Sequence, residues 1–187
     1  MDSEVHPAAA ASWRLLTERL DAETDPVRRR NLEVVARHVV AEVAGDLEAL
    51  ERTLVPDPRY TFWGGDSSRR LESIDEVRNF YANNVRVGKS RLAFDVSRVL
   101  VDERTVITEG VFRHVVEGRH LPGRTLPGGR PLEPRTRYLT AYQALVVWPI
   151  SADGLIEGEE IYLGEPHQVQ RAVGLGEFPH LGLATDH

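Results

Sequence analysis

The order in which helix and strand signals occur constrains this chain most. Helix signals open it, one short strand and one further helix follow, and the remainder reads as long strands. Such segregation points to an α+β domain, since a parallel α/β sheet needs helix and strand to alternate. The expected fold class is therefore α+β, a single domain with helices packed on a strongly curved antiparallel β-sheet. A length of 187 residues suits one domain.

Individual signals locate the elements. Residues 10–22 set Trp13, Leu15, Leu16 and Leu20 on one side of a short amphipathic helix. Asp25-Pro26 is a helix start, with Asp as the cap and Pro in the first turn. Leu32, Val35, Ala36, Val39 and Val40 then recur at helical spacing to about Val43, and Gly45 ends the run. Asp46 caps a helix expected over 47–54, which Pro56 and Pro58 stop. Tyr60-Thr61-Phe62-Trp63 reads as a strand with Gly64-Gly65 as its turn. Ser73 and Glu76 have capping-box spacing ahead of a helix to about Asn84. Strands are expected over 92–101, 105–116, 138–148 and 155–163, with turns at Asp102-Glu103 and Ser151-Ala152-Asp153-Gly154. The Pro- and Gly-rich stretch 118–136 reads as a long loop, and 164–187 as a loose tail. This gives an extension with a short helix over 1–24, a folded domain over 25–164 and a tail over 165–187.

Composition removes several function classes. The chain has no Cys, which excludes disulfides, thiolate nucleophiles and Cys-ligated metals. A net charge of −6 argues against nucleic acid as the main partner. Arg28-Arg29-Arg30 lies beside Asp21, Glu23 and Asp25 and reads as a solvated helix face. No apolar run reaches the roughly 20 residues that span a bilayer. The acidic start also lacks the charged n-region of a signal peptide. A cytoplasmic protein without a membrane partner is expected. His114 and His120 lack an obvious third ligand, so no metal is expected. The glycines of 123–129 do not open a helix after a strand, and no Gly-x-Ser-x-Gly elbow occurs. Chemistry without a cofactor is the simplest expectation.

Three segments carry a family resemblance: Gly45-Asp46-Leu47-Glu48-Ala49-Leu50, Ile74-Asp75-Glu76-Val77-Arg78-Asn79-Phe80-Tyr81, and Asp153-Gly154-Leu155-Ile156. With the Pro-Gly hairpin Leu126-Pro127-Gly128-Gly129-Arg130-Pro131, their order resembles the nuclear transport factor 2-like superfamily, in its SnoaL-like and ketosteroid isomerase-like group. The resemblance spans roughly 28–164. It implies a cystatin-like cone, with the sheet wrapped around helices and a pocket at the open end. It also implies a homodimer through the convex face of the sheet, hiding Leu139, Leu145 and Val147.

The resemblance also assigns faces to the strands. Thr108, Gly110, Phe112 and His114 would point inward, with Tyr138, Thr140, Tyr142, Ala144 and Val146 on the next strand and Glu159, Ile161 and Leu163 on the last. His38 stands where ketosteroid isomerase carries its donor Tyr, and Tyr81 where a supporting Tyr stands. Phe62 and Ala144 occupy the positions of that enzyme's two carboxyl groups, so the same reaction is not expected. The expected catalytic set is His114 and Glu159 as an acid–base pair, with His38, Tyr81 and Tyr142 as donors. Tyr60, Phe62, Trp63, Phe112 and Tyr138 are expected to contact substrate.

The function this implies is a small acid–base enzyme for isomerisation, dehydration or cyclisation. Its ligand would be an apolar, oxygenated small molecule such as a polyketide or terpenoid intermediate. Two alternatives stand beside it. One is a non-catalytic binding or scaffolding domain of the same fold. The other is an epoxide hydrolase, if Arg113 and Glu109 face inward with another acid.

Overall fold

The computed structural model describes residues 6–64 and 68–182. Gly65 of the expected turn and the ends of the chain, 1–5 and 183–187, lie outside them.

The helices form where the caps dictate. A short turn, α1 (Pro7–Ala10), leads through a 3-10 turn into α2 (Arg14–Ala22). Trp13 and Leu16 are buried, and the Ser12 hydroxyl accepts a hydrogen bond from the Phe94 amide at 3.1 Å, so the extension is docked on the sheet. In α3 (Pro26–Ala44) the Asp25 carboxylate accepts from the amides of Val27 and Arg28, each at 3.0 Å. Leu32, Val35 and Val39 go into the core, whereas Val40, expected beside them, turns to solvent. Gly45 closes the helix at φ 70°. α4 (Leu47–Glu51) is shorter than expected, because strand β1 (Leu54–Gly64) begins at once and takes Pro56 and Pro58 into itself. In α5 (Ile74–Val87) Ser73 accepts from the Glu76 amide at 3.3 Å. Glu76 reaches back to the Glu72 amide at 2.6 Å, one residue beyond the Ser73 amide of a true capping box.

Seven strands make one curved sheet. After β1 come β2 (Arg69–Leu71), β3 (Leu92–Val101), β4 (Thr105–Glu117), β5 (Arg137–Pro149), β6 (Ile156–Leu163) and β7 (Gln168–Ala172). The order is β2-β1-β6-β5-β4-β3, with β7 on β5. Every pair is antiparallel except β1 with β6, which runs parallel within the expected curved antiparallel sheet. Curvature is built in at two glycines. Gly110 faces Asp95 so closely that a Cβ would sit 2.4 Å from its carbonyl oxygen, where the β3–β4 register shifts between Val96 and Arg98. Gly158, at φ 150°, would place a Cβ 1.7 Å from the Arg59 carbonyl oxygen.

The main core lies between the helices and the concave face. It joins Leu32, Val35 and Val39 of α3 and Val77 and Tyr81 of α5 to Tyr60, Phe94, Val146, Trp148 and Ile161 of the sheet. The segment expected to be a loose tail is tied down instead. β7 pairs with β5, and Leu181 packs on Ala93, Val115 and Leu139. Leu139 is therefore covered by its own chain, which removes it from the expected dimer surface. No helix among the described residues is long and apolar enough to cross a membrane.

Candidate active site

The open end of the cone holds a cavity of about 200 Å³. Its walls are mainly apolar: Phe62, Phe80, Phe94, Phe112, Ile161 and Leu163 among others. Its polar lining is Glu42, Tyr81, Asn84, Lys89, His114, Tyr142, Glu159 and His167. A few convergent polar groups in an apolar concavity are the usual form of a small-molecule site. The volume is below the roughly 300–1,000 Å³ of drug-sized pockets, so it suits a compact ligand.

One polar wall is built around Glu159. Its Oε1 accepts the Tyr81 hydroxyl proton at 2.7 Å and lies 3.2 Å from His38 Nε2. His38 Nε2 is also 3.1 Å from the Tyr81 oxygen, and the Tyr60 oxygen is 3.3 Å from that of Tyr81. The ring's tautomer follows from its other side. The Thr53 hydroxyl gives its own proton to the Leu50 carbonyl at 2.6 Å, so at 2.7 Å it must accept one from His38 Nδ1. Nε2 is thereby left facing the Tyr81–Glu159 pair. A proton on Nε2 bonds to Glu159; without it, Tyr81 can turn its hydroxyl to the ring.

Glu42 completes this wall from α3. It stands one helical turn after His38, on the same face. Burial and, behind it, the charge of Glu159 push its carboxyl up to about 8. Burial and the same charge also push the Tyr60 and Tyr81 hydroxyls well above the ordinary phenol range.

The other polar wall gathers around His114. Its Nδ1 donates to the Lys89 carbonyl at 3.1 Å, and Nε2 faces the Tyr142 hydroxyl at 3.4 Å. The His114 and Tyr142 rings are stacked at 5.8 Å, and His167 stacks on Tyr142 at 3.9 Å. Burial, then the nearby His167 and Lys89, lower the His114 pKa to about 3, so its ring is neutral at pH 7. Burial likewise lowers Lys89 and raises Tyr142. His167 arrives here through a bulge. β6 leaves β5 at Leu163 opposite Ala144, and β7 rejoins at Gln168 opposite Ala141. The longer stretch between them on this side sets the His167 ring on Tyr142.

The structure thus brings Glu159, Tyr81, Tyr142, His114, Phe62 and Phe112 to one cavity. It does not form the expected His114–Glu159 pair, because the two residues keep separate partners. His38 is fully buried behind Tyr81 and Glu159 and does not line the cavity. Tyr60 likewise sits behind Tyr81, with no exposure. Trp63 faces away: neighbouring strand residues point to opposite faces, Phe62 takes the inside, and Trp63 stacks on Tyr162 at 6.2 Å. Tyr138 has the inward parity but lies beyond the cavity, packed with Val116, Leu121 and Val169 and accepting from the Glu133 amide. Arg113 pairs with Asp95, and Glu109 with Arg98 at 3.3 Å, away from the cavity, so the expected condition for an epoxide hydrolase is not met. Among the described residues no three His, Asp or Glu converge in a group that could hold a metal ion.

Comparison with known proteins places this geometry in a family. The SnoaL-like domain profile matches residues 35–157, nearly two-thirds of the chain. The chain belongs to the SnoaL-like domain family. Its fold is similar to that of a protein from Jannaschia sp. CCS1 described as a SnoaL-like polyketide cyclase. That match has 19% identity and a TM-score of 0.57, over 76% of this chain and 90% of that one. SalBIII, described as an epoxide hydrolase/cyclase-like enzyme in pyran ring formation in the polyether salinomycin, matches at 15% identity and a TM-score of 0.53, over 73% and 92%. A protein of cystatin-like fold from Methylobium petroleophilum PM1 matches at 12% identity and a TM-score of 0.52, over 85% and 87%. At these identities the likeness is one of fold. A search of curated proteins finds no match.

Proposed function

We propose that this SnoaL-like protein is an acid–base enzyme in which Glu42 and Glu159 act as a proton-sharing pair. The observation that carries the reading is their common position on one small apolar cavity, with Glu42 held protonated to about pH 8. A protonated Glu42 beside the acceptor oxygens of Glu159 puts a donor and an acceptor on one cavity. Glu42 gives a proton to a substrate oxygen, while Glu159 takes one from carbon or hydroxyl. Tyr81 and His38 orient Glu159 and spread its charge. This is the chemistry of isomerisation, dehydration or cyclisation. The substrate is a compact, apolar, oxygenated molecule, and the chain's own side chains supply every proton step. His114, neutral and bonded on both nitrogens, shapes and polarises the cavity beside Tyr142 and is not the base.

A thermal-shift screen against apolar carbonyl and hydroxyl compounds would supply candidates, since a ligand of the native state raises Tm by mass action. The reading expects hits that turn over, with Glu42→Gln and Glu159→Gln each cutting turnover by about 10²–10⁴ while still binding. A second reading, binding without turnover, draws on Phe62 and Ala144 at the positions of ketosteroid isomerase's acids; hits that bind and yield no product would favour it.

The dimer belongs to the same reading. Leu145 lies beside Tyr162, and Tyr162 beside Trp63, on the outer face; Val147, Ile107 and Leu100 form a second row there. Leu100 is 55% exposed and Tyr162 is 42% exposed. A second copy would cover this surface. Sedimentation as a monomer at micromolar protein would remove the proposal.

A further inference from the structure

We infer that the corner of the cavity formed by Lys89, Asn84 and His167 is a binding site for the carboxylate of an acidic ligand; that this ligand is the substrate rests on the acid–base reading above. Among the described residues Lys89 is the one Lys or Arg that lines the cavity. Among the described residues no carboxylate pairs with it, and burial lowers its pKa. A half-buried ammonium in apolar surroundings is costly to leave unpaired, and an anion offsets that cost.

The position is prepared for such a role. Lys89 follows Gly88, the cap of α5, and its amide donates to the Asn84 carbonyl at 2.8 Å. Its own carbonyl accepts from His114 at 3.1 Å. Both backbone groups are thus fixed, and only the side chain is left for a ligand. Asn84 also lines the cavity, and His167 reaches it stacked on Tyr142. His114 brings no positive charge in competition, because its ring is neutral and Nδ1–H is already bonded. A ligand anchored here by its carboxylate would lay its apolar body against Phe62, Phe80, Phe94 and Ile161 and present its reactive part to the acid pair. The class implied is a compact hydrophobic carboxylic acid.

The test is calorimetric binding of phenylacetate and its neutral match phenylacetamide to the full chain. A charge-assisted contact predicts that phenylacetate binds at least about tenfold tighter. Lys89→Met should abolish that preference and leave the amide's affinity alone; Lys89→Arg should keep part of it. Lys89→Gln replaces the Met variant if the latter does not fold. Glu42→Gln should bind phenylacetate at least as well as the wild type, so loss of turnover in that variant leaves this readout intact. Equal affinity for acid and amide, no binding of either at millimolar concentration, or a preference that survives Lys89→Met would overturn the inference.

Discussion

Glu42 on α3 and Glu159 on β6 face one cavity, and the charge of Glu159 adds to burial in holding the Glu42 carboxyl protonated. The relationship joins a helix to a strand far away in sequence. It depends on the parallel β1–β6 pair that sets Glu159 beside Tyr60.

Glu42→Gln should reduce turnover by about 10²–10⁴, the usual worth of a positioned acid. For the wild type, turnover should fall as pH rises through about 8, where Glu42 loses its proton. A pH–rate profile on any substrate found by screening measures both effects.

Stability should fall as pH rises from about 4.5 to about 8 for the same reason. The native state holds the Glu42 proton up to about 8, whereas the unfolded chain releases it near 4.5. The native state therefore binds more protons across that window, and ΔG of unfolding declines as pH rises through it. Melting curves from pH 5 to pH 9 should show the decline in the wild type and a weaker one in Glu42→Gln.

His114 should act in the opposite direction. Its pKa is about 3 in the fold and 6.5 outside it, so the unfolded state binds the extra proton between these values. Stability should drop as pH falls from 6.5 towards 3, and His114→Asn should flatten that limb. An unchanged acid limb in the variant would contradict the buried, neutral ring.

Tyr81→Phe should lower turnover by removing the hydroxyl that Glu159 accepts at 2.7 Å. Loss of one hydrogen bond to a buried charged group should cost about 1–3 kcal/mol of stability. Chemical denaturation measures that cost.

Gly158→Ala should destabilise the chain more than any of these. An added Cβ would meet the Arg59 carbonyl oxygen at 1.7 Å, so β1 and β6 would have to part. The expected outcome is a fall in Tm together with loss of activity, because Glu159 is the next residue.

Most of the fold was legible because its signals are local. Asp25-Pro26, Gly45, Ser73 and the β-branched run from Thr105 each dictate the backbone where they stand. The SnoaL-like membership was legible from motif order, and the family match supports it. The site was legible only in part. Glu42 carried a signal that was overlooked: an acid one turn from His38 on an apolar helix. Trp63 was misplaced because it and Phe62 are adjacent on one strand and cannot both face inward. His167 had no local signal, since its place depends on where β6 leaves β5 and β7 rejoins it.

The acid–base chemistry requires that Glu42 keep its proton to unusually high pH beside Glu159. Carbon-detected NMR titration of glutamate side chains, with Glu42 assigned by its Gln variant, measures this directly. The expected Glu42 midpoint is near 8 and moves down in Glu159→Gln. A midpoint in the ordinary carboxylate range, unmoved by that substitution, would contradict it.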